Sequence, residues 1–231
     1  MKKSREEYSV EWYQPRLDYL SGFMLEERFE NMRKVVEHRT RYMTVCMENT
    51  FHPQNASALV RNCEAFGVQD IHAIEMFCGF RPNVNIVRGT DKWVDIHRYK
   101  STTEAVERLK KDGYRIVVTS PHKDGYTPET FDVTRGKFCI VFGTEKEGAS
   151  DEIIAVADEF LLIPMCGFVE SLDVSASAAI LLQRLSTRLR ESGVEWQLSE
   201  RDRMQLLYEW VMGSVKDSEN ILSRGFSAEC K

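Results

Sequence analysis

The sequence predicts an α/β protein with a parallel sheet and helices on both faces. Six short runs, rich in β-branched and aromatic residues and bounded by turn residues, have the pattern of strands. Helical patterns stand between several of them. This alternation is typical of parallel pairing, because each crossover helix must cover the sheet. The predicted strands are 43–49, 70–75, 95–99, 115–120, 138–143 and 159–164.

The predicted helices have start and stop signals at their ends. Ser101 precedes one helix and Gly113 closes it, while Asp173 and Ser199 are placed to cap two later helices. Gly193 ends the longest helix. The predicted helices are 25–39, 54–67, 102–112, 173–192 and 200–212.

The length of the chain predicts one main domain with small additions. A chain of 231 residues can bury one well-filled core, but residues 1–42 are too few for a second globular domain. We expect a catalytic domain over 43–193, a helical amino-terminal extension over 1–42 and a helical carboxyl-terminal extension over 194–231.

Composition indicates a soluble protein of the cytoplasm. No apolar run reaches the roughly 18 residues that a membrane span needs. The amino terminus lacks the apolar stretch of a secretion signal. Six cysteines with irregular spacing and no CxxC pair favour neither disulfides nor structural zinc.

The formal charge of −5 argues mildly against a nucleic-acid partner, so any RNA site has to be a local basic face. The best candidate is segment 81–100, where Trp93 lies among the cations. An ordinary solvated loop explains the same composition. The cations are Arg81, Arg88, Lys92, Arg98 and Lys100.

The usual signatures for dinucleotides, nucleoside triphosphates, zinc and serine hydrolases are missing. Glycine-bearing loops at 143–148 and 164–167 instead follow predicted strands, where open α/β sheets bind ligands. The second loop is unusually apolar, which suits either an adenine slot or simple packing against the sheet.

Three separated segments resemble, in order and spacing, the three motifs of the SpoU class of RNA ribose 2′-O-methyltransferases. They are NASALVRNCEAFGV at 55–68, FGTEKEGAS at 142–150 and IPMCGFVESLDVSASAAILL at 163–182. The resemblance implies a SPOUT-type α/β domain with a carboxyl-terminal trefoil knot. It also implies a homodimer that binds S-adenosylmethionine in the knot, needs no metal, and forms its active site at the subunit interface.

The resemblance assigns residues motif by motif. Asn55, Arg61, Glu145, Ser171 and Asp173 fall at catalytic positions. The methyl-donor pocket falls at Thr119, Gly143, Ile163, Met165 and Leu172. In the family the arginine is assigned to activating the ribose hydroxyl, but arginine is a poor base because it stays protonated. We expect Arg61 to grip RNA phosphate and stabilise a developing alkoxide; otherwise it is a surface arginine paired with Glu64 or Glu75.

The third motif departs from the family, because Asp173 stands where asparagine is usual. An aspartate caps a helix as well as asparagine does, but an ionised carboxylate cannot donate a hydrogen bond. If an amide donor is required, Asp173 leaves activity lowered, retuned or lost. Alternatively, its carboxylate serves as the proton acceptor.

The resemblance implies methylation of a guanosine ribose in the D-loop of tRNA. Ribosomal RNA or another tRNA position, a catalytically silent RNA-binding protein, and an unrelated structural α/β protein are the alternatives. The short amino-terminal extension favours tRNA.

Overall fold

A computed structural model describes residues 8–144 and 147–226. The chain divides into two compact units. One comprises residues 40–196 and contains the sheet, and the other combines the two terminal segments, up to residue 39 and from residue 197 onward.

The larger unit is built on a six-stranded parallel sheet of order β3-β2-β1-β5-β4-β6. All six predicted strands are confirmed, and each begins at the predicted residue. The third ends at the predicted residue, and the other five end one to three residues earlier, where the chain turns into the loops at the carboxyl edge. The strands are β1 (Met43–Glu48), β2 (Asp70–Ile74), β3 (Asp95–Tyr99), β4 (Arg115–Thr119), β5 (Phe138–Phe142) and β6 (Glu159–Leu161).

Within residues 8–144 and 147–226, the α-helices include all five that the sequence predicts and four that it does not. The additional ones are α1, which contains Pro15, the four-residue α4, the five-residue α6 and the terminal α9. Short helices give too few residues for a periodic pattern, and an internal proline usually indicates a helix end. The helices are α1 (Val10–Ser21), α2 (Glu26–Val36), α3 (Pro53–Ala65), α4 (Val84–Val87), α5 (Thr102–Lys111), α6 (Asp151–Ala155), α7 (Val174–Glu191), α8 (Glu200–Ser214) and α9 (Ser218–Gly225).

Both faces of the sheet are covered, as predicted. Val45 belongs to a core that includes side chains of α3 and α7, whereas its neighbour Cys46 belongs to a second core with α5 and Ile153 of α6. Successive residues of a strand point to opposite faces, so a strand buried on both faces is apolar along most of its length. Every residue of β1, β2 and β5 is buried.

Three predicted helix caps are present. Ser101 accepts a hydrogen bond from the backbone N–H of Glu104 at 3.2 Å, and Ser199 accepts one from Asp202 at 3.1 Å. Asp173 caps α7 in the same way. Each cap satisfies a backbone donor that the first helical turn leaves unpaired.

The terminal unit is helical. The α8 helix contacts α1 and α2, and α9 contacts α1 and α8. The apolar stripe of α8 is buried, as expected for a packing stripe; its members are Leu206, Leu207, Trp210 and Val211. The two terminal segments, which the sequence separates by more than 150 positions, thus fold together.

Candidate active site

A cavity of about 360 Å³ opens at the carboxyl end of the sheet, beside the ends of β4, β5 and β6. It takes its lining from all three of these strand ends and from the first turns of α7. Every residue that the sequence places in a methyl-donor pocket lies on its wall, namely Thr119, Gly143, Ile163, Met165 and Leu172. Ser171 of the third motif lies there too.

A tight turn after β5 forms one wall of the cavity. Thr144 and Gly148 exchange backbone hydrogen bonds at 2.8 and 3.0 Å, so the chain folds back on itself. A Cβ on Gly143 would lie 2.0 Å from the carbonyl carbon of Gly148, which makes glycine obligatory there. Glu145, predicted as catalytic in this turn, lies outside the described residues.

The wall of the cavity combines apolar and charged groups. Phe142 and Leu181 contribute apolar surface, whereas His122, Lys123 and Glu170 bring polar side chains to the rim. An apolar recess with charges of both signs suits a ligand that has a flat apolar part and a zwitterionic end.

Asp173 is exposed and is engaged as a helix cap. Its Oδ1 accepts hydrogen bonds from the Ser175 hydroxyl at 2.5 Å and from the Ala176 N–H at 2.9 Å. These two bonds, the one from Ser175 first, lower the pKa of the Asp173 carboxyl. The geometry therefore matches the capping interpretation, and a lowered pKa makes this carboxylate a weaker proton acceptor.

Arg61 lies on the exposed side of α3. One guanidinium nitrogen donates to the carbonyl oxygen of Ile86 at 3.0 Å. Glu75, one of its alternative partners, is bound by Arg98 and Lys100 instead. The described wall of the cavity includes neither Arg61 nor Asn55, which is half-buried in the first turn of α3.

The first and third motifs are nevertheless neighbours. Asn62 on α3 donates a hydrogen bond to the carbonyl oxygen of Ser175 in the first turn of α7, at 3.1 Å. The packing of α3 against α7 keeps the two motifs on one face of the sheet.

The cations of the basic segment differ in their surroundings. Arg81, Arg88 and Lys92 are exposed, and no ion pair involves them within the part of the chain that the structure describes. Arg98 instead pairs with Glu75 and donates to a backbone carbonyl. Its charge is largely compensated locally.

Sequence reasoning missed Glu48, which is buried at the carboxyl end of β1. One carboxylate oxygen accepts a hydrogen bond from the backbone N–H of Ser150 at 2.9 Å, and the other finds no partner among residues 8–144 and 147–226. The signal that could have identified Glu48 is a charged residue at the end of a mostly apolar strand.

The described residues, 8–144 and 147–226, show two further features. They contain no group of three or more His, Cys, Asp or Glu side chains arranged to hold a metal ion. None of their helices combines the length and apolar character required to cross a bilayer.

The model of the SpoU rRNA Methylase family matches residues 42–183, which contain all three motifs. This chain belongs to the SpoU family. A tRNA (guanosine(18)-2′-O)-methyltransferase of Borreliella burgdorferi is 35% identical to it over 206 residues, or 89% of this chain and 94% of that protein.

Solved structures of SpoU proteins have the same fold. The crystal structure of a TrmH/SpoU tRNA modifying enzyme from Aquifex aeolicus matches with a TM-score of 0.73 at 31% identity, covering 82% of this chain and 98% of that one. The SpoU methyltransferase AviRb from Streptomyces viridochromogenes, in complex with the cofactor AdoMet, matches with a TM-score of 0.56 at 24% identity, covering 70% and 62%.

Proposed function

We propose that this SpoU-family protein transfers a methyl group from S-adenosylmethionine to a ribose 2′-hydroxyl of tRNA, at guanosine 18 of the D-loop. The observation that carries the proposal is the cavity at the ends of β4, β5 and β6, whose wall unites the five donor-pocket residues with Ser171. The choice of tRNA and of the nucleotide rests on the relative from Borreliella burgdorferi, which extends over most of both chains.

The volume and the lining of the cavity suit the methyl donor. Its volume of about 360 Å³ lies within the range of small-molecule sites. Ile163, Met165 and Leu172 offer an apolar slot for adenine, and the turn at Gly143 brings backbone groups to the same surface. The bound donor supplies an electrophilic methyl group on a sulfonium, so the site needs no metal.

We assign Arg61 to the RNA rather than to the donor. A guanidinium keeps its charge at neutral pH, so it grips phosphate and stabilises negative charge as the ribose hydroxyl loses its proton. Asn55, Glu145 and Ser171 are assigned to the reacting end of the site, and Asp173 to holding the start of α7. The exposed cations Arg81, Arg88 and Lys92 extend the phosphate contacts. Arg98, which is paired with Glu75, adds to the same basic segment.

We propose that the site is completed in a homodimer. Asn55 and Arg61 lie off the described wall of the cavity. Phe168, in the loop between the wall residues Met165 and Glu170, is fully exposed, and Ile180 on α7 is 37% exposed. A second copy that covers this apolar surface can bring its own Arg61 to the cavity.

Mixed dimers test this arrangement. Arg61→Ala and Ser171→Ala are each expected to abolish methyl transfer as pure dimers. After the two variants are mixed and re-equilibrated, activity returns if each site takes Arg61 from one subunit and Ser171 from the other. Activity that stays absent, although exchange of subunits is demonstrated, contradicts the shared site.

We also propose that residues 43–193 form the methyltransferase domain and that its carboxyl-terminal part is threaded as a trefoil knot. Both β6 and the segment after it contact the crossover between β4 and β5. A Cβ on Gly125 would lie 2.5 Å from the carbonyl oxygen of Phe160 in β6, and Arg188 on α7 donates to the carbonyls of Pro128 and Phe131.

The decisive experiment is transfer of labelled methyl from S-adenosylmethionine to an unmodified tRNA transcript, with the modified ribose mapped. We expect one labelled D-loop guanosine with the wild type and none with Arg61→Ala. A parallel reaction with unmodified ribosomal RNA completes the test, because label in that RNA and none in the tRNA would reassign the substrate within the same chemistry.

Asp173 favours a second candidate function, a protein that binds donor and RNA without turnover. Its exposed carboxylate adds negative charge near the place where RNA phosphate is expected. In that case the wild type binds both ligands and transfers nothing, and Asp173→Asn gains activity.

A further inference from the structure

A second cavity, of about 560 Å³, lies at the carboxyl ends of β2 and β3. Its lining consists of the loop 75–82, which follows β2, together with Arg98 and Lys100 at the end of β3. It shares the carboxyl edge of the sheet with the donor cavity but lies on the opposite half of the strand order, with β1 between them. The α3 helix, which carries Arg61, follows β1.

We propose that this second cavity binds one unstacked nucleotide of the RNA, with its base on Phe77 and its phosphate on Arg81 and Lys100. The inference rests on the proposed function and deepens it, because it locates a substrate contact outside the three motifs. RNA that is recognised by sequence or shape in loops commonly presents unstacked bases to aromatic side chains.

The ring of Phe77 is displayed on a firmly held backbone. Its side chain is 81% exposed, which is unusual for a phenylalanine. The backbone N–H groups of Met76 and Phe77 both donate to Oδ1 of Asn49, each at 3.0 Å, and Asn49 is buried. A base that stacks on this ring does not have to order the backbone that carries it, which lowers the entropic cost of binding.

Part of the cavity lining is an ion cluster centred on Glu75. One oxygen of its carboxylate accepts from the N–H of Phe80 at 2.9 Å and pairs with Arg98, and the other lies 3.3 Å from Lys100 Nζ. This cluster fixes both ends of the loop 75–80. It also orients two cations towards the cavity.

The cavity carries a net positive charge. Arg81, Arg98 and Lys100 outnumber the single carboxylate of Glu75 on its wall. The side chain of Lys100 is 81% exposed, and Arg81 makes no ion pair within the described chain. In a protein of formal charge −5, a local excess of cations beside an exposed aromatic ring matches a nucleotide phosphate and base.

Binding of a labelled tRNA transcript, measured by fluorescence anisotropy at several salt concentrations, tests the proposal. Phe77→Leu keeps an apolar side chain but removes the ring face, and we expect it to weaken binding about tenfold, while Phe77→Trp restores affinity. Arg81→Ala is expected to weaken binding and to lower the slope of log affinity against log salt by about 0.7 to 0.9.

Matched controls separate this contact from general effects. Lys111→Ala removes an exposed cation at the last residue of α5, close in the chain to the amino end of β4, and is expected to leave tRNA affinity unchanged. Donor affinity, followed by calorimetry, is expected to be unchanged in all four variants.

Two results would overturn the inference. One is wild-type tRNA affinity in Phe77→Leu. The other is a shift of Phe77→Leu towards monomer in sedimentation, which would make the ring part of a contact between copies of the chain. Methyl transfer by the wild type is measured in the same preparations. Failure of the proposed function is then recognised separately, as tRNA binding without methyl transfer or as the absence of both.

Discussion

The carboxylate of Glu48, at the end of β1, accepts a hydrogen bond from the backbone N–H of Ser150, at the start of α6, at 2.9 Å. This contact joins the central strand of the sheet to the far end of the turn that walls the donor cavity. Glu48 is 1% exposed, so solvent does not substitute for the bond. The bond fixes the chain at Ser150, because breaking it would leave the backbone N–H of Ser150 without a partner and destabilise the folded state.

We expect Glu48→Ala to weaken S-adenosylmethionine binding about tenfold, because hydrogen bonds to charged groups are worth about 1.5 to 3 kcal/mol. Glu48→Gln retains a carbonyl acceptor and is expected to weaken donor binding less. Calorimetric donor titration measures both variants, and thermal unfolding runs alongside. A lowered melting temperature with unchanged donor affinity would give Glu48 a purely structural role.

Asp173→Asn is expected to leave the free energy of unfolding nearly unchanged, because asparagine caps helices as well as aspartate does. Asp173→Ala should lose about 0.5 to 2 kcal/mol, as measured by urea unfolding. The lowered pKa of Asp173 means that its contribution is present above the unfolded value of 3.8 and fades as pH falls through the folded pKa. Equal destabilisation by Asn and Ala would show that the charge, not the cap, matters.

Gly143→Ala is expected to abolish donor binding, because its Cβ would overlap the backbone of Gly148 at 2.0 Å. Gly213→Ala in α8 is the matched control. Apart from the neighbouring residues and backbone of its own helix, no atom lies within 4 Å of a Cβ there, so alanine should be neutral or stabilise the helix by up to about 1 kcal/mol. Donor titration and melting temperature are measured for both. Normal donor binding by Gly143→Ala would remove the turn from the donor site.

Stability is expected to fall between pH 7 and pH 5 because of His72. Burial is the main cause that lowers its pKa, to about 4, and the neighbouring His97 adds to the effect. As pH falls below about 6.5, His72 becomes protonated in the unfolded chain but stays neutral in the folded chain, so stability is lost. The loss by pH 5 is about 2 kcal/mol.

Urea unfolding at the two pH values checks this expectation, with His72→Phe as the comparison. The variant keeps a buried aromatic ring and should lose most of the pH-dependent difference, whatever its absolute stability. An undiminished difference would assign the effect to other groups. Asp70 does not complicate this window. Burial acts to raise the pKa of Asp70, but the hydrogen bond from His97 and the charge of Arg41 together outweigh it and hold that pKa below its usual value. The contribution of Asp70 to stability therefore fades only at lower pH.

Much of the fold was predictable because its signals are local. The starts of all six strands follow from short apolar runs, and the caps at Ser101, Asp173 and Ser199 follow from residue type and position. The prediction missed α1, where Pro15 argues against a helix that packing against α8 sustains. Tertiary packing can outweigh a local preference of this kind.

The sequence by itself determined the parallel α/β architecture, the three motifs and membership of the SpoU family, since periodicity, capping chemistry and motif spacing are all written along the chain. Only the tertiary structure decided that Asn62 donates to Ser175, that Arg61 lies off the described cavity wall, and that Glu48 reaches Ser150. The last contact spans 102 positions. Contacts over such distances depend on how the sheet brings loops together at its carboxyl edge, which no local pattern encodes.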